Sequence, residues 1–238
     1  MSEYRTIVGT MECDYFCQLP PKRILERCLD VTLTDLHRDG CGLAELKAVF
    51  DAVWMISHMR IEQSVPIVPD DELTFRTYPR VEGLGCYYLD ADILRGGSII
   101  AKFECSYIAV ARVERHILRL SQLEPLWKTP PRAAVSAPLQ RLRPECEFFP
   151  CGSDEVRLSD CDKNHHMTSG AYLSLVCDAA GYWESDAPRL MRSVQVDFSS
   201  EVHPGTTLRF LRGEADGFRY VRGVKPDDRI AFTAACAF

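Results

Sequence analysis

No run of apolar residues in this 238-residue chain approaches the roughly 20 that a membrane-spanning helix needs. The opening stretch MSEYRTIVGTMECDY has no basic start followed by an apolar segment, so it does not read as a secretory signal. Positive charge is scarce as well. Lys and Arg number 28 against 34 Asp and Glu, for a formal net charge of −6, which gives no general reason to expect nucleic acid or an anionic membrane as partner. Cysteine is plentiful, at eleven, yet no CxxC pair occurs. An odd count scattered through apolar runs such as KFECSYIAV and FTAACAF fits neither a spaced disulfide framework nor a paired-ligand zinc site. Most of these thiols are therefore expected to be reduced, buried small hydrophobes in a cytoplasmic protein.

What is present is an ordinary globular composition, 46% hydrophobic, enough for a substantial core. The stretch from Leu126 to Pro144, LWKTPPRAAVSAPLQRLRP, has four prolines, four basic groups, no acid and no apolar period. It reads as a linker over 128–145, dividing the chain into units at 1–127 and 146–238.

The two units look alike. Leu43, Leu46, Val49, Phe50 and Val53 recur at helical spacing in the first, as do Tyr172, Leu175, Val176, Ala179 and Trp183 in the second. When IEQSVPIVPDDELTFRT (61–77) is set beneath VDFSSEVHPGTTLRFLR (196–212), Pro69 meets Pro204, Leu73 meets Leu208 and Phe75 meets Phe210. The pattern suggests an internal duplication. Further alternating or apolar runs predict strands at CYYLDADIL, SIIAKFECSYIAVAR, HILRL, FRYVRGV and RIAFTAACAF. The fold class expected is α+β, with two tandem hotdog units, each a curved antiparallel sheet wrapped around a long central helix.

One stretch concentrates titratable groups. SDCDKNHHMTS (159–169) precedes the apolar GAYLSLVCDAAGYW. Joined to the start of that apolar run, SDCDKNHHMTSGAYL resembles the D-x-N-x-H-V-N-N motif and subsequent tyrosine of acyl-acyl carrier protein thioesterases, which are double-hotdog enzymes releasing fatty acids from their carrier. VDFSSEV resembles that family's strand with a second acidic residue, and VWMISHMRIE (53–62) its tryptophan-led strand. The likeness runs in order along essentially the whole chain. It implies a catalytic set of Asp162, Asn164, His166 and Glu201, an acyl carrier protein as partner, no organic cofactor and no metal. The first unit would be a degenerate copy supplying acyl-pocket wall. Met167, Thr168 and Ser169 depart from the family's valine and two asparagines. Val202 stands where plant members have a cysteine, which counts against a cysteine nucleophile.

Thioester hydrolysis needs an activated water, a donor for the developing oxyanion and shelter from bulk solvent. Thr168 and Ser169 are good N-caps, so a helix should begin just after His166 and aim its free amides at the thioester carbonyl. An ionised Asp162 or Glu201 can accept a proton from water, and the two are not ranked by sequence. Asn164 offers both donors and an acceptor, and His166 is the candidate to shuttle a proton or polarise the thioester. The whole site is expected beside a dry tunnel along the second helix. In the first unit Pro66 takes the place of Glu201, and TDLHRDGCG before Gly42 lacks an asparagine.

Plainer readings compete. DCDKNHH alone is an ordinary polar turn capping a helix, with His165 facing solvent, Asp160 turning the chain and Cys161 an inert thiol. Asp35 and His37 read as a surface loop, Trp54 and Trp183 as core or pocket wall. Metal binding is disfavoured because no second ligand set accompanies the histidines. Lys128, Arg132, Arg141 and Arg143 form the best basic strip for docking an acidic carrier, or else a merely solvated linker. Rival functions are an acyl-CoA thioesterase on the same fold, a hotdog dehydratase, and an acyl-binding module without catalysis. Association as monomer or homodimer is left open.

Overall fold

Pro20 and Pro21 set the start of the first long helix, because proline fixes φ and its missing N–H costs nothing at the first helical position. The computed structural model describes residues 2–82, 86–128, 139–185 and 187–238. This helix, α1 (Pro21–Arg38), turns Ile24, Leu25, Cys28, Thr32, Asp35 and Leu36 inward at three- and four-residue spacing. Gly40, at φ 87°, ends it in a left-handed turn where the Cys41 amide donates to the Leu36 carbonyl. The long helix of the first half therefore lies upstream of the segment chosen from sequence. Residues 43–53 instead hold a short helix, α2 (Leu43–Phe50), and the start of a strand. Asp51 stops α2 in a left-handed conformation, and Leu43 and Val49 remain exposed.

The first half contributes strands β1 (Ser2–Ile7), β2 (Ala52–Gln63), β3 (Glu72–Glu82), β4 (Cys86–Arg95), β5 (Ser98–Ala111) and the short β6 (Ile117–Leu118), followed by a single helical turn, α3 (Leu120–Leu123). The second half contributes β7 (Phe149–Glu155), α4 (Ser169–Ala179), β8 (Ser193–Phe198), β9 (Thr207–Ala215), β10 (Phe218–Val224) and β11 (Ile230–Ala237). Among the described residues, eleven strands form one antiparallel sheet. Its order is β1-β3-β4-β5-β2-β8-β11-β10-β9-β7, with β6 paired to β5. Read outward from the β2–β8 seam, the two arms carry corresponding strands in the same sequence. The fold is that of two hotdog units, and each sheet arm has its own helix.

The two helices differ in kind. α4 buries Gly170, Ala171, Tyr172, Leu173, Val176, Cys177 and Ala179, so most of its surface is enclosed. α1 is amphipathic and buries polar groups too. Asp35 accepts hydrogen bonds from Tyr4 (2.6 Å) and from Thr77, so it belongs to the interior and not to a surface loop. His37 does lie at the surface, 3.0 Å from Glu45. α1 and α4 also pack on each other, and a side chain at Gly170 would press on Glu26 and Lys22 of α1.

At the seam His58 faces Asp197 across the β2–β8 ladder, and both are buried. The chain just before the second half is tied to this pair. The Leu142 amide donates to Asp197 Oδ2 (2.6 Å), Gln195 donates to the Gln140 carbonyl (2.7 Å), and Arg141 donates to Ser57 (3.1 Å). Most of the stretch read as a linker, with its Arg132, lies outside the described residues. Its described end is pinned to the sheet, because Leu139 is buried and three hydrogen bonds anchor residues 140–142.

All eleven cysteines are free, but fewer are buried than composition suggested. Cys28, Cys41, Cys105, Cys177 and Cys236 are enclosed, whereas Cys17 is exposed and the others lie between. Burial pushes the Cys41 and Cys236 thiols up to about 12, which leaves them inert. Trp54 is core, its indole donating to the Cys41 carbonyl (2.8 Å). Trp183 lies beyond the end of α4, 39% exposed and stacked on Phe16. Among the described residues, no helix is long and apolar enough to cross a membrane.

Candidate active site

The polar run of the second half forms a closed turn in front of α4. After one helical turn at Leu158–Asp160, the chain doubles back through the bridge between Cys161 and Met167. The Asp162 amide donates to the His166 carbonyl (2.9 Å), and the His165 amide to the Asp162 carbonyl (3.0 Å). His165 takes φ 59°, the left-handed conformation that such a reversal requires. Met167 then anchors the turn to the chain leaving β8, its amide donating to the Val202 carbonyl (2.9 Å). Thr168 caps α4 by accepting from the Ala171 amide (3.2 Å). The helix therefore starts at Ser169, two residues later than the position directly after His166.

The Asp162 carboxylate is occupied within the turn. Its Oδ1 accepts from the amides of Asn164 (2.8 Å) and His166 (3.3 Å), and its Oδ2 accepts from the Asn164 side-chain amide (2.9 Å). Asp162 and Asn164 are exposed, so the expected dry enclosure does not extend to them. The physical reason is local, since a carboxylate folded back on its own loop amides is held at the surface of that loop.

His166 and Glu201 are more sheltered. Nδ1 of His166 lies 3.6 Å from Oε1 of Glu201, with the side chains 30% and 20% exposed. The other Glu201 oxygen accepts from Arg115 (2.7 Å), which reaches over from the β5–β6 turn of the first half. Lys225 donates to the Glu201 carbonyl (3.4 Å). The chain preceding Glu201 is fixed by Tyr172 of α4, whose hydroxyl donates to the Ser200 carbonyl (3.3 Å). Burial, reinforced by the Glu201 charge, raises the Tyr172 phenol well above its ordinary range, so it stays a neutral donor.

The site has two members that sequence reasoning missed. Arg115 is brought in from the other half of the chain. His203 follows Glu201 by two residues. Its Nδ1–H donates to the His165 carbonyl (3.0 Å) and its ring meets the His166 ring edge-on at 4.9 Å. The one available signal for His203 was its place in EVHPG, directly after the acidic position. His166, Glu201 and His203 each place a donor atom within 4.8 Å of the others, a spacing that could hold a metal ion. The Arg115 cation on Glu201, with Lys225 close by, opposes a second cation there.

The first half contains the same turn, but at Gly9–Pro20 and not in the loop before Gly42. The Asp14 amide donates to the Gln18 carbonyl (2.8 Å) and the Cys17 amide to the Asp14 carbonyl (3.0 Å). Cys17 takes φ 55°. Asp14 Oδ1 accepts from the amides of Phe16 (2.8 Å) and Gln18 (3.1 Å). The Leu19 amide donates to the Ile67 carbonyl (2.7 Å), as Met167 does to Val202, which sets Pro66 opposite Glu201. A separate cavity of about 450 Å³ touches Phe149, Cys151, Arg212 and Glu214, at the end of the β7–β9 ladder away from the polar turn.

Residues 153–230, which include the turn and Glu201, match the sequence model of the acyl-ACP thioesterase C-terminal domain. No curated protein sequence matches the chain. An acyl-ACP thioesterase from Bacteroides thetaiotaomicron has a similar structure, with a TM-score of 0.83 at 15% identity over 100% of this chain and 97% of that one. The 12:0-ACP thioesterase from Umbellularia californica gives 0.79 at 13% identity, over 99% of this chain and 96% of that one. The chain thus resembles this family by a sequence domain in its second half and by its fold throughout.

Proposed function

We propose that this chain hydrolyses the thioester of acyl-acyl carrier protein, releasing a free fatty acid in fatty acid synthesis. The observation that carries the reading is the pairing of Glu201 with His166 at the mouth of α4, inside the stretch that matches the thioesterase domain. The proposed site comprises Asp162, Asn164, His166 and Glu201, with one of its two carboxylates serving as the base and the other supporting it. A carboxylate takes a proton from water, and the hydroxide oxygen bonds to the thioester carbonyl carbon. The first turn of α4 would face the resulting oxyanion, and one well-placed donor contributes roughly 3–4 kcal/mol of transition-state stabilisation. Collapse breaks the carbon–sulfur bond, and the leaving sulfur takes up the proton, with His166 placed to pass it.

Eleven free thiols support a reducing, cytoplasmic setting for this activity. Of the basic strip proposed for carrier docking, Lys128 and Arg143 are exposed and Arg141 is exposed but tied to Ser57. We propose the unit boundaries 1–127 and 146–238, with the β2–β8 seam acting inside one chain as a dimer interface would between two. The deciding experiment measures thiol release from carrier-bound and CoA-bound acyl chains of graded length. Hydrolysis preferring the carrier supports the reading. Equal or faster CoA hydrolysis favours an acyl-CoA thioesterase, and no release from either rejects hydrolysis.

A further inference from the structure

The duplication supplies a control for the site, because the first half keeps the turn without its chemistry. GTMECDYFCQLPPKRI (9–24) lies over RLSDCDKNHHMTSGAY (157–172), and the correspondence extends atom by atom. The Gly9 and Arg157 amides each donate to the carboxylate three residues on, at 2.8 Å in both. The thiols of Cys13 and Cys161 each contact the carbonyl four residues back. Asp14 and Asp162 each accept from the amides two and four residues ahead.

What differs between the copies is the set of groups able to do chemistry. Phe16 stands for Asn164, Gln18 for His166, Pro66 for Glu201 and Val68 for His203. The aspartate persists although the asparagine, histidine and glutamate around it are replaced, which is expected of a group that builds the turn. Three donors already sit on the Asp162 carboxylate, two of them on Oδ1. Glu201 differs on this point. Arg115 holds Oε2, while Oε1 faces the His166 ring at 3.6 Å and keeps acceptor capacity.

We infer that Asp162 is a positioning residue that shapes the turn, and that Glu201 is the carboxylate that accepts the water proton. This deepens the proposed hydrolysis and rests on it. In the step, one O–H bond of water breaks and its proton goes to Glu201. The hydroxide oxygen bonds to the carbonyl carbon, whose π pair moves to oxygen. When the carbon–sulfur bond then breaks, its electron pair leaves on sulfur and the proton held by Glu201 passes to it.

The test compares Asp14→Asn, Asp14→Ala, Asp162→Asn, Asp162→Ala and Glu201→Gln, reading urea midpoints and thiol release. An asparagine keeps the Oδ1 acceptor of the turn but cannot act as a base. Both Ala variants should lower the midpoint by similar amounts, and both Asn variants should hold it near wild type. Asp162→Asn should stay within about tenfold of wild-type turnover with an unchanged pH–rate profile, whereas Glu201→Gln should lose roughly 10²–10⁴-fold at unchanged stability. Equal losses for Asp162→Asn and Glu201→Gln, both fully folded, would overturn the assignment. The stability arm reads independently of turnover. If the wild-type protein releases no thiol, hydrolysis fails as a reading while matched losses at Asp14→Ala and Asp162→Ala still support the turn role. An undiminished midpoint in Asp162→Ala refutes that role.

Discussion

Cys17 and His165 hold the same left-handed backbone position in the two halves, with φ of 55° and 59°. Neither residue is glycine, and the left-handed region is costly for a side chain with a Cβ, most of all a branched one. The turn imposes the conformation, since in each copy the amide of this residue donates to the aspartate carbonyl three positions back. Cys17→Val should therefore lower stability by about 1–2 kcal/mol, while Cys17→Gly should not lower it. Urea unfolding of the two variants checks this. Equal midpoints for valine and glycine would mean that the backbone relaxes out of the left-handed region.

Arg115 gives the first half a direct part in the second half's site. Its pair with Glu201 is short at 2.7 Å, but the arginine is 57% exposed, so its contribution to stability is small, within about 1 kcal/mol. Its effect on geometry is larger, because it fixes one oxygen of Glu201 and leaves the other toward His166. Arg115→Ala should leave the melting temperature nearly unchanged and cut turnover by about tenfold through lost alignment of Glu201. A variant with wild-type turnover would show that Tyr172 and the chain around Ser200 hold the glutamate unaided.

Strand periodicity and the two proline turns at Pro69 and Pro204 were legible because alternation and turn chemistry are local properties. The polar turn before α4 was legible for the same reason, as a cluster of titratable groups beside an apolar helix. α1 was harder to see. Its inward face includes Thr32 and Asp35, whose partners Tyr4, Thr77 and Tyr107 come from distant strands, so its apolar period is diluted. Pro20–Pro21 and Gly40 were the available signals for its ends. Arg115 and His203 became members of the site only through folding, which brings the β5–β6 turn and the chain after β8 against His166. The vestigial turn at Gly9–Pro20 keeps only Cys-Asp of the motif, too little to align without hydrogen bonds to compare.

Gly223 connects packing on the sheet to the ordering of the site. A methyl group built there would collide with the ring of Phe232, which is fully buried. That ring meets Tyr172 of α4 edge-on at 5.6 Å, and Tyr172 in turn fixes the Ser200 carbonyl beside Glu201. Gly223→Ala should destabilise by about 1–3 kcal/mol, as overpacking in a filled core does. Trimming the ring with Phe232→Leu in the same chain should recover part of the loss. Without any recovery, the strain must lie in the β10 backbone and not in the collision with the ring.

The seam between the halves should make stability depend on pH in a defined direction. His58 is held below its ordinary value chiefly by burial. Asp197 opposes this, Arg141 adds to it and the Leu139 backbone opposes it. The folded protein therefore keeps His58 neutral at pH values where the unfolded chain already binds a proton. The unfolded state binds more protons across that window, so stability is full above about pH 6.5 and falls as pH drops toward the lowered folded value. His58→Gln removes the titration while keeping a polar side chain near Ser57 and Tyr88, which His58 contacts at 3.2 and 3.3 Å. Carboxylates elsewhere add their own slope, so the informative quantity is the difference between wild type and variant. Urea unfolding from pH 5 to 8 should show a shallower loss for His58→Gln below pH 6.5, and parallel curves there would mean that His58 is protonated in the folded protein.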